Sequence, residues 1–360
     1  MTDKTITDLP AATSVAATDP FPTDQSAVTK KATARQIVAG GALGEGANSV
    51  VIGTSANASG ASSVAFGLSA IASKTDSTAI GHSAAVEGVY SVAIGPSATA
   101  DTFAAESAVV LGNKAFANNL GTVAIGYQAN AQGNRSMSIG YNSVADGYAA
   151  NAIAFGVAAN VTGTASIAIG DHSLVTANHG VAIGDNTKIS GGYGAAAGAG
   201  AAAGYVASAF GAYASALEYG SSFGHQAKAH GTSSVAFGYN ANAAGSAAVA
   251  IGKFSKSSAA NSHSLGYKAN ASATGSVAFG MNTVASAAGA VAIGNGAQAG
   301  ASNTVALGGS TSTANSVALP FGTVGDFLVC TASGVWTRLA KGTDGQVLTM
   351  VAGAPAWATP

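Results

Sequence analysis

Charge is scarce: only 8% of the 360 residues are Asp, Glu, Lys or Arg, and the net charge is −1. That balance gives no electrostatic reason to expect nucleic acid or an acidic membrane as a partner. Cysteine occurs once, at Cys330, which excludes a disulfide within the chain and reads as a buried free thiol. Although 48% of the residues are apolar, most of these are Ala and Val. No run approaches the ~18 large apolar residues of a membrane-spanning helix, so no membrane insertion is expected. The start, Met1 to Asp8, lacks the apolar stretch of a secretory signal, and none is expected.

Glycine, by contrast, is abundant at 49 residues, and much of it closes one recurring phrase, Ser-Val-Ala-Ile-Gly. The phrase is intact at Ser91–Gly95 and returns in variants such as Ser63–Gly67, Thr122–Gly126, Ser166–Gly170, Ser234–Gly238 and Ser276–Gly280. Nineteen closing glycines run from Gly53 to Gly308, and fourteen of the eighteen intervals are 14 residues, the others being 17, 16, 13 and 13. A short fixed period of this kind predicts a solenoid.

Within each phrase the residues three and one before the glycine are mostly large and apolar, such as Val92 and Ile94 or Ile167 and Ile169. The residue between them is Ala or Ser in seventeen of nineteen repeats. Successive side chains of a strand point to opposite faces, so one face is bulky and the other small. Small or β-branched residues recur three and five after the glycine (Ala98 and Ala100, Ser173 and Val175), with a freely varying residue between, and predict a second short strand. The expected fold class is all-β: a parallel β-roll or β-solenoid of nineteen ~14-residue coils. Stacked at ~4.8 Å per coil, they make a rod of roughly 90 Å. Glycine at the repeat end, and often seven residues later (Gly60, Gly88, Gly133, Gly147, Gly231, Gly245), is expected where the turn needs a positive φ. The bulky pair is expected to fill the coil. The Ala/Ser column, exemplified by Ala93, Ala124, Ala168, Ala236 and Ala278, is then expected to pack against partner chains around an axis. His263 replaces the usual Val and would place an imidazole inside the roll or force a local rotation. Ala195–Gly198, where alanines replace the bulky pair, would be a weak middle, with Tyr193, Tyr205, Tyr213 and Tyr219 filling space.

These repeats resemble the head domain of trimeric autotransporter adhesins of the YadA type, over roughly residues 43–319. The resemblance implies a homotrimer wound as a left-handed parallel β-roll.

The ends differ from the repeats. Residues 1–42 are expected to be an extended arm, with a turn or two of helix over 32–38. Asp8-Leu9-Pro10-Ala11-Ala12-Thr13, Pro20-Phe21-Pro22 and Lys30-Lys31-Ala32-Thr33 resemble the N-terminal stretch of bacteriophage tail fibres. That resemblance implies attachment to a phage tail or baseplate protein through residues 1–42. In residues 320–360 two pieces, 325–336 and 345–357, each read as strand, Gly turn and Trp-bearing strand. They resemble small β modules of phage fibres, and a cap over the open sheet end is expected there.

Candidate chemistry is thin. Nine acidic residues lie between 43 and 319, and Asp101 with Glu106, flanking an inserted bulge, is the best pair for glycoside hydrolysis. No His spacing suggests zinc, and no glycine-rich loop opens a helix, so no catalytic residue, metal or cofactor is assigned. Candidate receptor contacts are Phe103 and Tyr148 in the two inserted bulges, with Tyr127 and Tyr141, which directly follow repeat glycines. Stacked coils set Tyr127 above Tyr141 on one edge. The resulting reading is a homotrimeric bacteriophage fibre on the virion, engaging a bacterial surface glycan or protein, and not an enzyme. The alternatives are a bacterial trimeric adhesin head, a phage head or decoration fibre, an ice-binding solenoid and a capsule-degrading enzyme.

Overall fold

A computed structural model describes residues 46–101, 106–308, 327–332, 335–351 and 353–360. The arm, and the expected boundaries near residues 42 and 319, lie outside the described residues, as do 102–105 of the first bulge.

Each 14-residue coil holds two strands and two turns. A three-residue strand such as Val92–Ile94 ends at the repeat glycine, and a two-residue strand such as Thr99–Ala100 follows a tight first turn. The three-residue strands stack as one nineteen-stranded parallel sheet, and eighteen two-residue strands stack as a second. Register is kept through irregular spacings: Val92 pairs with Val109, Met137 with Ile153 and Ala195 with Ser208. The first turn never varies in length. The insertions preceding Val109 and Ile153, and the shortenings at 204–206 and 217–219, all fall in the second turn.

The interior reverses the expectation from sequence. Ser91, Ala93, Ala98 and Ala100, all four small, are fully buried within one coil, and this set repeats along the rod. The bulky pair lies outside, with Val92 half-buried and Ile94 exposed. The two strands of a coil approach so closely that only Ala, Ser, Thr and an occasional Val or Ile fit between them. Ala93, Ala124, Ala168, Ala236 and Ala278 therefore face their own coil, and the expectation that they meet partner chains at an axis is corrected. His263 is likewise exposed, and Ala195 and Ala197 sit on the outer face, so they leave no hole inside. The buried cluster runs unbroken from Ala145 to Ala250 through that supposedly weak middle.

Buried hydroxyls close the turns. Ser63 and Ser276 donate to the carbonyls of Gly60 and Ala273, each at 2.6 Å, across the second turn. Thr187 and Thr283 donate to Gly184 at 2.9 Å and Gly280 at 3.0 Å across the first. Most of the buried Ser and Thr hydroxyls of the phrase are satisfied within the turns in this way, whereas those of Ser136 and Ser234 find no protein partner.

Repeat glycines take a φ that other residues avoid: Gly95 stands at 134°, and a Cβ there would sit 2.5 Å from the Gly112 carbonyl oxygen of the next coil. The glycines seven residues on differ from expectation. Gly60, Gly133, Gly231 and Gly245 have no left-handed φ; they are needed because a Cβ would strike the backbone of the next coil.

The C-terminal residues form two antiparallel hairpins, Phe327–Ala332 with Val335–Leu339 and Val347–Val351 with Ala354–Ala358, matching the strand–turn–strand expectation. Trp357 joins them: its ring lies 5.7 Å from that of Phe327, and its Nε1 donates to the Ala340 carbonyl at 2.6 Å.

Candidate binding surfaces of the solenoid

Because the interior takes only small side chains, everything that can recognise a partner is outside, on two sheet faces and two turn edges. The outer face of the long sheet is apolar along the described rod. It carries Val50, Val64 and Val92 in one row and Ile52, Phe66 and Ile94 in the next, continuing to Val305 and Leu307. Phe66 is 49% exposed and Phe237 57% exposed in the single chain. Continuous apolar faces of this length mark an association surface.

In the middle this face changes composition, and at Ala195 and Ala197 both outer rows lose bulk. Ala195, Ser208 and Ser221 replace Val in one row, while Phe210, Phe223 and Phe237 enter the other. Phe210 and Phe223 stack with centroids 5.3 Å apart, and Phe237 continues the column at 6.2 Å. Phe210 and Phe223 bring bulk to the coils where Ser208 and Ser221 replace Val, while the tyrosines expected to fill space lie on the turn edges.

The first-turn edge holds Tyr127 and Tyr141 as expected, their rings stacked at 5.1 Å and 10°. Tyr148 is 88% exposed but sits on the second-turn edge, so the structure does not bring it to the other two. Phe103 lies outside the described residues. A longer aromatic column runs along the first-turn edge from Tyr213 to Tyr267; Tyr239 and Tyr267 directly follow repeat glycines as Tyr127 and Tyr141 do, but the continuous column, completed by His225 and Phe254, was not expected from sequence. The signal was present, since each ring follows a repeat glycine by one or two residues. Elsewhere His179 and Tyr193 stack at 4.7 Å on the second-turn edge.

Titratable groups are dispersed. His172 approaches its neighbour Asp171 at 2.8 Å, and both are well exposed. His230, near Ser215 at 3.0 Å, is held below the ordinary histidine value by partial burial and then by the Lys228 charge. Among the described residues no three His, Cys, Asp or Glu side chains gather as a metal site, and no helix is long and apolar enough to cross a membrane.

Comparison with known proteins accords with this architecture. The family model of the YadA head domain repeat matches residues 45–70, 72–100, 104–187 in overlapping copies, 218–255, 257–283 and 285–311. The unmatched gap, 188–217, is where the bulky row turns to Ala and Ser. Among solved structures, the collagen-binding domain of the Yersinia adhesin YadA is similar at 18% identity, over 66% of this chain and 76% of that one. Its TM-score of 0.15 means that the two do not superpose as wholes. No curated protein matches the chain.

Proposed function

The chain belongs to the YadA head-repeat family, and from that premise we propose that it is the adhesive shaft of a homotrimeric surface fibre. The observation that carries this reading is the apolar outer face of the long sheet, bare from Val50 to Leu307 in a single chain. Three copies closing these faces around one axis bury the Val, Ile and Phe rows that a lone coil leaves in water, at roughly 25 cal/mol for each Å² removed. The turn edges and the short-sheet face stay outside, where Tyr127, Tyr141 and Tyr148 are available to a receptor on a bacterial surface. A shaft of this kind works by reach and contact and performs no reaction.

The finer reading is a bacteriophage fibre on the virion, fastened to tail or baseplate through residues 1–42 and ending in the hairpin module. It is supported by the sequence resemblances of both ends. A bacterial trimeric adhesin uses the same coils and is equally compatible with the family. Two measurements test the proposal. The mass of the purified chain in solution is expected to be that of three copies, and a stable soluble monomer refutes the trimer. Deleting residues 1–42 should leave a folded rod that no longer joins phage particles; normal occupancy of the truncated chain refutes the attachment role.

A further inference from the structure

The rod is electrically divided along its axis. Residues 46–218 carry eight carboxylates against four cations, whereas residues 219–325 carry four lysines and no Asp, Glu or Arg at all. A net charge of −1 conceals this division.

The cations of the second half fall where the aromatic column runs. Tyr213, His225, Tyr239, Phe254 and Tyr267 occupy five successive coils, each one or two residues past its repeat glycine, and all are exposed. Their centroids follow at 6.1, 5.3, 5.4 and 6.3 Å, so the column has no gap. Only His225 and Tyr239 lie parallel, at 7°; Phe254 is turned 90° to Tyr239, so faces and edges alternate. Lys253 Nζ lies 5.5 Å from the Tyr239 ring centre and 5.3 Å from that of Phe254, and Lys268 Nζ lies 5.2 Å from that of Tyr267. Beyond the turn, Lys228 and Lys256 are exposed on the short sheet, in register with each other through Asn242. Tyr213 and Phe254 carry their rings at a first-turn position that is left-handed in every described coil, at φ of 56° and 60°, where other coils carry Ser, Asn, Gly, Gln, Ala, His or Lys.

We propose that this strip, from Tyr213 to Lys268, binds an anionic polysaccharide lying along the rod. The inference deepens the adhesive reading by naming the ligand class of one surface. Sugar rings present C–H faces that pack on aromatic rings, and the tyrosine hydroxyls meet sugar hydroxyls. Lys228, Lys253, Lys256 and Lys268 answer carboxylates or sulfates, and no carboxylate lies between residues 219 and 325. One ring per coil, at a rise of ~4.8 Å, is about the length of one pyranose unit, so a linear chain stays in step over five coils. Single-stranded nucleic acid also uses rings and cations. Four lysines without an arginine are sparse for a backbone charged at every nucleotide.

The test measures binding of the full chain to polygalacturonate, with neutral dextran and oligothymidylate as comparisons, at low and physiological salt. Polygalacturonate should bind, dextran should bind far more weakly, and affinity should fall as salt screens the lysines. Lys253→Ala with Lys268→Ala, and separately Tyr239→Ala with Phe254→Ala, should each weaken binding about tenfold or more. Lys114→Ala with Lys188→Ala, in the acidic half, should leave it unchanged. Absence of binding at low salt, equal binding by all three double variants, or dextran binding as tightly as polygalacturonate overturns the proposal. Tighter binding of oligothymidylate, lost with the same substitutions, replaces it with a nucleic-acid site. If the chain is trimeric and coats bacterial cells but ignores polygalacturonate, this inference alone fails. If polygalacturonate binds at the strip but the chain neither trimerises nor coats cells, the adhesive-shaft reading fails and the strip stands.

Discussion

Glycine does two different jobs here, and substitutions separate them. Gly95 combines a φ of 134° with a neighbouring carbonyl oxygen 2.5 Å from a would-be Cβ, so Gly95→Ala forces the stack apart. A loss of about 2–4 kcal/mol is expected, read as a lowered midpoint in denaturant. Gly275 also has a positive φ, 66°, but a Cβ there meets nothing within 4 Å. At this ordinary left-handed position Gly275→Asn should cost well under about 1 kcal/mol. Equal midpoints for the two variants would show that coil stacking does not depend on close carbonyl approach at Gly95. The repeat glycine was legible in the sequence because it marks the period. The role of Gly60 or Gly245 was not, because a close approach between coils leaves no local signature.

At the scale of the coil, the interior is a sequence of small volumes that compensate one another. Ile189 is the largest fully buried side chain, and the residues flanking it across the lumen are Gly180 and Gly194. A Cβ on Gly180 would lie 2.6 Å from Val175 Cγ1 and 2.9 Å from Ile189 Cγ2, and Gly180 has no left-handed φ to complicate the change. Gly180→Ala should therefore destabilise by overpacking, by about 1–3 kcal/mol. Adding Val175→Ala and Ile189→Ala should restore much of that loss. Thermal melts of the single and triple variants decide it; the triple variant melting below the single one would mean the space is not shared. The same geometry explains what was legible. Alternation and period gave the two strands, the parallel stack and the number of coils. They could not say which face was inside, since both faces of the long strand are apolar and the usual rule puts bulk within. The better signal was restriction of volume. The inner position admits Ala, Ser and two valines, whereas the outer one ranges over Val, Ile, Met, Thr, Ser, Ala195 and His263. Tyr127 and Tyr141 were placed together because the 14-residue period fixes residues one coil apart. Tyr148 was separable only once the second turn was seen to absorb every insertion.

For the whole molecule, reversing inside and outside changes what assembly variants should do. Ala168→Leu puts bulk into the coil itself and should unfold the rod locally in every chain, lowering the melting point and promoting aggregation. Ile169→Asp with Ile183→Asp alters only the outer face, where both residues are exposed, and should yield folded single chains with β circular dichroism intact. A double variant that keeps the mass of three chains would exclude this face as the interface. Local stability along the rod should follow the interior as well. The apolar interior is interrupted at two places, between Ala131 and Ala145 and between Ala250 and Ala269. Ser136, Ser138 and Ser143 line the first, where Ser138 and Ser143 hydroxyls bond at 2.7 Å and that of Ser136 finds no protein partner. Ser255, Ser257, Ser262 and Ser264 line the second, with Ser257 donating to Ser264 at 2.8 Å. Hydroxyls bonded to each other recover less than packed methyl groups and leave an orphan costly. Amide exchange should accordingly be faster over 136–143 and 255–264 than over 195–216, where alanines fill the interior without a break. Ser138→Ala with Ser143→Ala removes both partners of one bond and should slow exchange in its coil; Ala195→Val with Ala197→Ile, on the outer face, should leave interior protection as it was. Fastest exchange at 195–216, slowed by that outer-face pair, would return the bulky side chains to the inside and overturn the arrangement of the coil.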